Sequence, residues 1–310
     1  MNYQSQLDPQ LRRIAKKVPY YQAMIPFANL YLTLSYRFTP IPKGITGKTI
    51  WLNGYQGKKF QVDIFSPAHG KETPSSLIYL HGGAFSYKAS AYHKKLACVY
   101  AEKAGCTVFF PNYHLLPRYS YPAAYEDVLA LYRWVRKHNS GRLGVAGDSA
   151  GASLTALLCN RCGQEGLEPP CLQMLVYPAT DITMKTDSMK QFPDTPLWNA
   201  KNNKRMWRYY TRNLEDRYTA SPMHSQLPQA LPTTYIETAE YDCLHDEGIL
   251  YGEKLIKAGA QVTVNETTGT IHGYDLALDS KVARENVEKR VTFLREAFTV
   301  ETTPGNSTPR

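Results

Sequence analysis

Ser149 sits in Gly147-Asp148-Ser149-Ala150-Gly151, between the short apolar run 143–146 and a string of small and apolar residues that follows. This G-x-S-x-G spacing suits a serine held on a tight turn from a buried strand into a buried helix. A glycine two residues to either side leaves space where any Cβ would collide, and the serine accepts a strained backbone that lifts its hydroxyl clear. A serine hydroxyl is a poor nucleophile near neutral pH. It needs a base within hydrogen-bond reach and a third group to orient that base.

Of the eight histidines, His272 in Thr270-Ile271-His272-Gly273-Tyr274 is the best placed for the base, between the last strand and the last helix. His245 falls in a polar segment that starts a helix, where a solvated surface residue is the natural reading. For the orienting acid, Asp242 follows the strand expected at 233–238, at the end where α/β sheets place working groups. Asp181, after the preceding strand, is the alternative acid, and Asp246 reads as a helix N-terminal carboxylate. Attack on a carbonyl creates an oxyanion that fixed donors must meet. The backbone of His81-Gly82-Gly83-Ala84 offers N–H groups, and Ala150 offers another. No phosphate-binding glycine loop or metal-ligand cluster competes, so neither cofactor nor metal is expected. Cys159-x-x-Cys162 has no second pair or histidine at ligand spacing and lies in the helix after the serine, which makes it structural.

Those groups need a frame. Strands are expected at 48–53 and 59–65, an antiparallel ribbon around 54–57, then at 75–80, 106–110 (closed by Pro111), 143–146, 171–177, 233–238 and 261–266. Helices are expected at 7–17, 92–103, 121–138, after the serine, at 247–258 and at 281–298. About eight strands, with helices alternating after the third, demand a mostly parallel sheet covered on both faces, with an antiparallel start. Residues 1–45 precede any strand, and the regular pattern is lost over 181–231; both read as parts of a cap.

With 310 residues, 43% hydrophobic and 20% charged, the chain can bury a core for one large α/β domain with a small accessory piece. The formal charge of +9 permits attraction to anionic surfaces, but no long basic run suggests a nucleic-acid stripe. The basic-aromatic segment 201–212 reads as a solvated cap helix with a packed inner face rather than a nucleic-acid site. Gln22, Asn29, Thr33, Ser35 and Arg37 interrupt the aromatic stretch 20–38, so stable membrane insertion is not expected, and a cap is preferred to a helix resting on lipid. Six cysteines in mostly apolar settings, and a start (residues 1–4) without a charged region leading into an apolar one, favour free thiols and a cytoplasmic setting. The polar tail 299–310, with two prolines, is expected to be disordered.

Taken jointly, His81-Gly82-Gly83-Ala84-Phe85, Gly147-Asp148-Ser149-Ala150-Gly151, Tyr241-Asp242 with Asp246-Glu247-Gly248, and His272-Gly273-Tyr274 resemble the hormone-sensitive-lipase-like branch of α/β-hydrolase esterases. The resemblance runs from about residue 75 to 298 and extends to bacterial carboxylesterases and acetyl esterases. It implies an α/β-hydrolase fold with a catalytic domain over 46–298 and a helical cap from 1–45 and an insertion at about 181–225. It makes Ser149 the nucleophile, His272 the base and Asp242 its orienter, in the chain order that fold uses. Oxyanion donors would fall at Gly83, Ala84 and Ala150, with Gly82 supporting. Two features depart from the family: Ala84 stands where many members have a third glycine, and His114 stands where an arginine is usual. Nothing in the sequence says what His114 does instead. The expected reaction is hydrolysis of small acyl esters through an acyl-enzyme, with Phe85, Trp198 and Trp207 as candidate pocket aromatics. Amide or peptide hydrolysis on the same groups, and a non-catalytic binding protein of this fold, are the alternatives. A homodimer is compatible with the sequence, and no nucleic-acid partner is expected.

Overall fold

The alternation of Phe60, Val62 and Ile64 turns one face of the opening ribbon into the core, where all three are buried. In the computed structural model, which describes residues 5–18, 20–68 and 75–299, that ribbon is β1 (Ile45–Asn53) paired antiparallel with β2 (Lys59–Pro67). Six further strands complete one sheet: β3 (Ser76–Leu80), β4 (Thr107–Asn112), β5 (Leu143–Asp148), β6 (Leu172–Val176), β7 (Thr233–Tyr241) and β8 (Val262–Ile271). Their spatial order is β1-β2-β4-β3-β5-β6-β7-β8, parallel from β4 onward. β3, β5 and β6 are buried along their whole length, as strands covered on both faces must be. The helices are α1 (Ile25–Phe38), α2 (Ala91–Ala104), α3 (Ala123–His138), α4 (Ala150–Arg161), α5 (Asp187–Gln191), α6 (Ala200–Tyr210), α7 (His245–Lys257) and α8 (Lys281–Thr299). The eight-stranded, mostly parallel sheet expected from the sequence is thus the observed one. Of the tail expected to be disordered at 299–310, Thr299 is instead the last residue of α8, and the rest, like the start at residues 1–4, lies outside the described residues.

Three local expectations need correction. Residues 7–17 form no α-helix: a single 3-10 turn at Pro9–Leu11 is followed by irregular chain. The segment is drawn along the surface instead, with Asp8 N–H bonded to Gly269 O, Arg13 paired to Asp279 and Lys17 to Asp194. Pro111 does not close β4, which runs on to Asn112. By that point β4 has left β3 and pairs only with β2, so the missing N–H forfeits little. Finally, β7 and β8 each extend past their expected ends, by three residues to Tyr241 and by five to Ile271.

The longer ends are fastened from beneath. Arg290 of α8, 1% exposed, donates through Nε to Glu237 Oε2 at 3.1 Å and through Nη1 to Asp275 Oδ2 at 2.8 Å. The hydroxyls of Tyr235 and Tyr274 complete Glu237, and that of Tyr177 donates to Asp275 at 2.7 Å. Attraction to these carboxylates and tyrosines raises the guanidinium pKa against the opposing effect of burial. Arg290→Met would leave two buried carboxylates unpaired. It should cost about 3–5 kcal/mol in urea unfolding.

Candidate active site

β5 delivers Ser149 at its C-terminal end with φ 54° and ψ −117°, a left-handed conformation costly for a residue with a Cβ. The surroundings hold it there. Ser149 N–H donates to Val176 O at 2.8 Å, and Ser153 N–H returns to Ser149 O at 3.1 Å as α4 begins. The flanking glycines are required by close approach. A Cβ on Gly147 would lie 2.4 Å from the Gly151 backbone, and one on Gly151 would lie 2.0 Å from Leu80 O.

The extended ends of β7 and β8 carry Asp242 and His272 to the same rim. His272 Nε2 lies 2.9 Å from Ser149 Oγ, and its Nδ1 lies 2.6 Å from Asp242 Oδ2. Asp242 is fully buried, and its other oxygen accepts the Leu244 N–H at 3.0 Å. The remaining candidates are occupied elsewhere. Asp181 accepts from Thr183 and faces His224 Nε2 at 3.0 Å; His245 bridges Asp246 and Glu266. Asp246 also accepts the Ser188 N–H at 2.7 Å.

After β3 the chain turns sharply through Gly83 (φ 116°), Ala84 (φ 55°) and Phe85 (φ 54°). Among the described residues the N–H groups of Gly83, Ala84 and Ala150 meet no acceptor. Gly82 differs: its N–H is committed to Asp148 Oδ2 at 3.0 Å, so of the four amides expected around an oxyanion it is the one without a free N–H. Asp148 is a pillar that the sequence reading missed. It also accepts from Tyr79 at 3.0 Å and Tyr92 at 3.2 Å and faces His93 Nε2 at 3.3 Å, tying the serine turn to the glycine loop. Burial alone would raise the Asp148 carboxyl, but attraction and hydrogen bonding from His93, with a hydrogen bond from Tyr79, hold it below its ordinary value. His81, stacked on Tyr113 at 4.5 Å, is pushed down to about 3, chiefly by burial, and so is uncharged at neutral pH. His114, unexplained from sequence, faces Asp127 Oδ2 at 2.6 Å through Nδ1 and bonds the same atom through its N–H.

Of the three aromatics expected near a pocket, Trp198 lies beside the imidazole, 6.2 Å between ring centres. Phe85 and Trp207 instead belong to one aromatic cluster, with Phe85 stacked on Tyr210 at 3.7 Å. In α6 the buried Met206, Trp207 and Tyr210 face inward while Lys201, Lys204 and Arg208 are exposed, as expected for a solvated helix with a packed inner face. The N-terminal segment meets this region directly: Leu197 N–H donates to Lys16 O, Asn202 to Val18 O, and Tyr20 packs edge-on to Trp198 at 5.8 Å. All six cysteines are free, and among the described residues no cluster of acidic, histidine or cysteine side chains could hold a metal ion.

Glu247 anchors the insertion to α7, accepting the N–H groups of Thr180 at 2.6 Å and Asp181 at 3.2 Å. Burial pushes its carboxyl well above the ordinary range despite those donors. A folded-state value above the unfolded one gives a contribution present in full below the unfolded value and lost as pH rises through the folded one. Glu247→Gln keeps an accepting oxygen and cannot ionise. Thermal melts should therefore fall less steeply toward alkaline pH in the variant than in the parent.

This sheet order and this rim define an α/β hydrolase. A family model described as alpha/beta hydrolase fold matches residues 77–276, and the chain belongs to that family, in class a carboxylesterase-type hydrolase. It is similar to esterase LipI of Mycobacterium tuberculosis (strain ATCC 25618 / H37Rv), 34% identical over 207 residues, which cover 64% of this chain and 65% of that one. Carboxylesterase NlhH of Mycobacterium tuberculosis (strain CDC 1551 / Oshkosh) is 29% identical over 259 residues, 79% of this chain and 81% of that one. Among solved structures, a bacterial heroin esterase superposes with a TM-score of 0.85 at 27% identity, over 96% of this chain and 99% of that one.

Proposed function

We propose that the chain hydrolyses carboxylic esters with small acyl groups through an acyl-enzyme on Ser149. The continuous contact from Asp242 through His272 to Ser149 carries the reading. His272 takes the hydroxyl proton at Nε2 as Ser149 attacks the carbonyl, while Nδ1–H donates to Asp242 and the imidazolium is steadied by that carboxylate. The tetrahedral oxyanion is met by the N–H groups of Gly83, Ala84 and Ala150, and Gly82 supports the loop through Asp148. The imidazolium returns its proton to the leaving alcohol, and water then repeats the cycle on the acyl-enzyme. The N-terminal segment and the insertion at about 181–225 serve as the cap over the 46–298 domain, which the bonds between residues 16–18 and 197–202 support. Trp198 beside the imidazole favours small acyl groups. Kinship with esterases named for ester hydrolysis supports esters over amides.

Purified protein should turn over nitrophenyl acetate and butyrate, with turnover of the matched anilides far slower. A fluorophosphonate should add once, at Ser149. Folded protein that neither turns over the esters nor takes the label would make it a non-catalytic member of its fold, and faster anilide turnover would make it an amidase.

A further inference from the structure

The charge of this chain is not spread over it. Residues 9–62 hold nine Lys and Arg and no Asp or Glu; of the 36 and 27 in the whole chain, 27 of each remain outside. The entire net +9 therefore sits in one segment. Fifteen large apolar side chains are exposed among the described residues, and ten of them, from Val18 to Trp51, fall in the same segment.

α1 is turned inside out. Its polar residues bond to the body: Asn29 donates to Ser86 O at 2.9 Å and accepts Lys88 N–H at 2.8 Å, and Tyr36 OH donates to Asp63 at 2.7 Å. Of its fourteen residues only Ile25 is buried. Phe27 is 70% exposed, Leu30 62%, Tyr31 71% and Phe38 77%, and the spacing 27, 31, 34, 38 keeps Phe27, Tyr31, Leu34 and Phe38 on one face. A cavity of about 890 Å³ lies between α1 and the β1–β2 ribbon on the polar side of the helix, lined by Asn29, Thr33 and Tyr36, and Arg37, Lys48, Lys59, Ile41 and Trp51 border it. No helix among the described residues is long and apolar enough to cross a membrane.

An exposed apolar helix face on the segment that carries all of the chain's net positive charge matches the boundary between acyl chains and anionic headgroups. We propose that α1 and the adjoining edge of β1 dock on an anionic lipid surface, with the helix lying in the headgroup layer. A second copy on this face would set the two concentrations of positive charge against each other, and nucleic acid would leave Phe27, Tyr31 and Phe38 exposed to water. The inference does not depend on the reaction assigned to Ser149.

The full chain should sediment with vesicles of phosphatidylcholine and phosphatidylglycerol. Binding should weaken at least about tenfold on phosphatidylcholine alone or in high salt, which screens exposed charge. Combining Phe27→Ser, Leu30→Ser and Phe38→Ser should weaken it by about tenfold or more through lost apolar burial. Combining Lys43→Glu, Lys48→Glu and Lys59→Glu should abolish the preference for anionic vesicles. Both variants alter exposed residues, so melting temperature and turnover of a soluble nitrophenyl ester should match the parent. No association with anionic vesicles, or association that neither variant alters, would overturn the proposal. A doubled mass in sedimentation equilibrium, lost in the combined Phe27, Leu30 and Phe38 variant and without vesicle binding, would instead assign the face to a second copy.

Discussion

Ser149→Ala is expected to lower kcat for nitrophenyl butyrate by about a million-fold, leaving only what bound donors supply without a nucleophile. Alanine keeps the Cβ and inherits the same left-handed backbone at φ 54°, so the strain of the turn is unchanged. What the folded protein loses is one hydrogen bond to His272, about 1 kcal/mol at most. Activity and stability therefore separate cleanly: urea unfolding should shift little while turnover vanishes. KM, where residual rates allow it, should stay near the parent's, because the amides and Trp198 proposed to meet the substrate remain. A variant as active as the parent would end the assignment of Ser149, and with it the acyl-enzyme.

The elements around Ser149 could be read from sequence because their signals are local. A strand, five small residues and a helix follow one another, and each glycine answers to a clash measurable in the fold, such as 2.0 Å at Gly151. The last two strands were legible in kind but not in extent. The Glu266-Thr267-Thr268-Gly269-Thr270 stretch reads as the end of a strand, yet β8 continues through it because Gly269 N–H donates to Glu240 and Gly269 O accepts from Asp8. Those partners lie 29 and 261 positions away, beyond any window of periodicity. The failure of the 7–17 helix has the same origin, since Arg13 and Lys17 find partners at Asp279 and Asp194. Asp148 is hidden for a different reason: it occupies the variable position of the G-x-S-x-G motif, although its four partners come from β3, the glycine loop and α2. The signal that could have found it is chemical. A carboxylate in a run of residues otherwise small and apolar must be buried, and a buried carboxylate needs donors.

Asp242→Asn should reduce kcat by about ten-thousand-fold while Asp181→Asn leaves it near the parent value. Both acids end the loops that follow neighbouring strands, and sequence alone left both open. Geometry separates them: Asp242 Oδ2 is 2.6 Å from His272 Nδ1, whereas Asp181 is engaged by Thr183 and His224. Asparagine fits the Asp242 site and can still accept the Leu244 N–H, so the loop should hold. Its amide NH2, however, would face Nδ1 as a donor. The imidazole would then carry its proton on Nε2, directed at Ser149 Oγ, and could not accept the hydroxyl proton. The loss would lie in kcat, with labelling of Ser149 by a fluorophosphonate slowed in proportion, because both depend on deprotonating the same hydroxyl. A large loss in the Asp181 variant beside an active Asp242 variant would reverse the assignment of the acid.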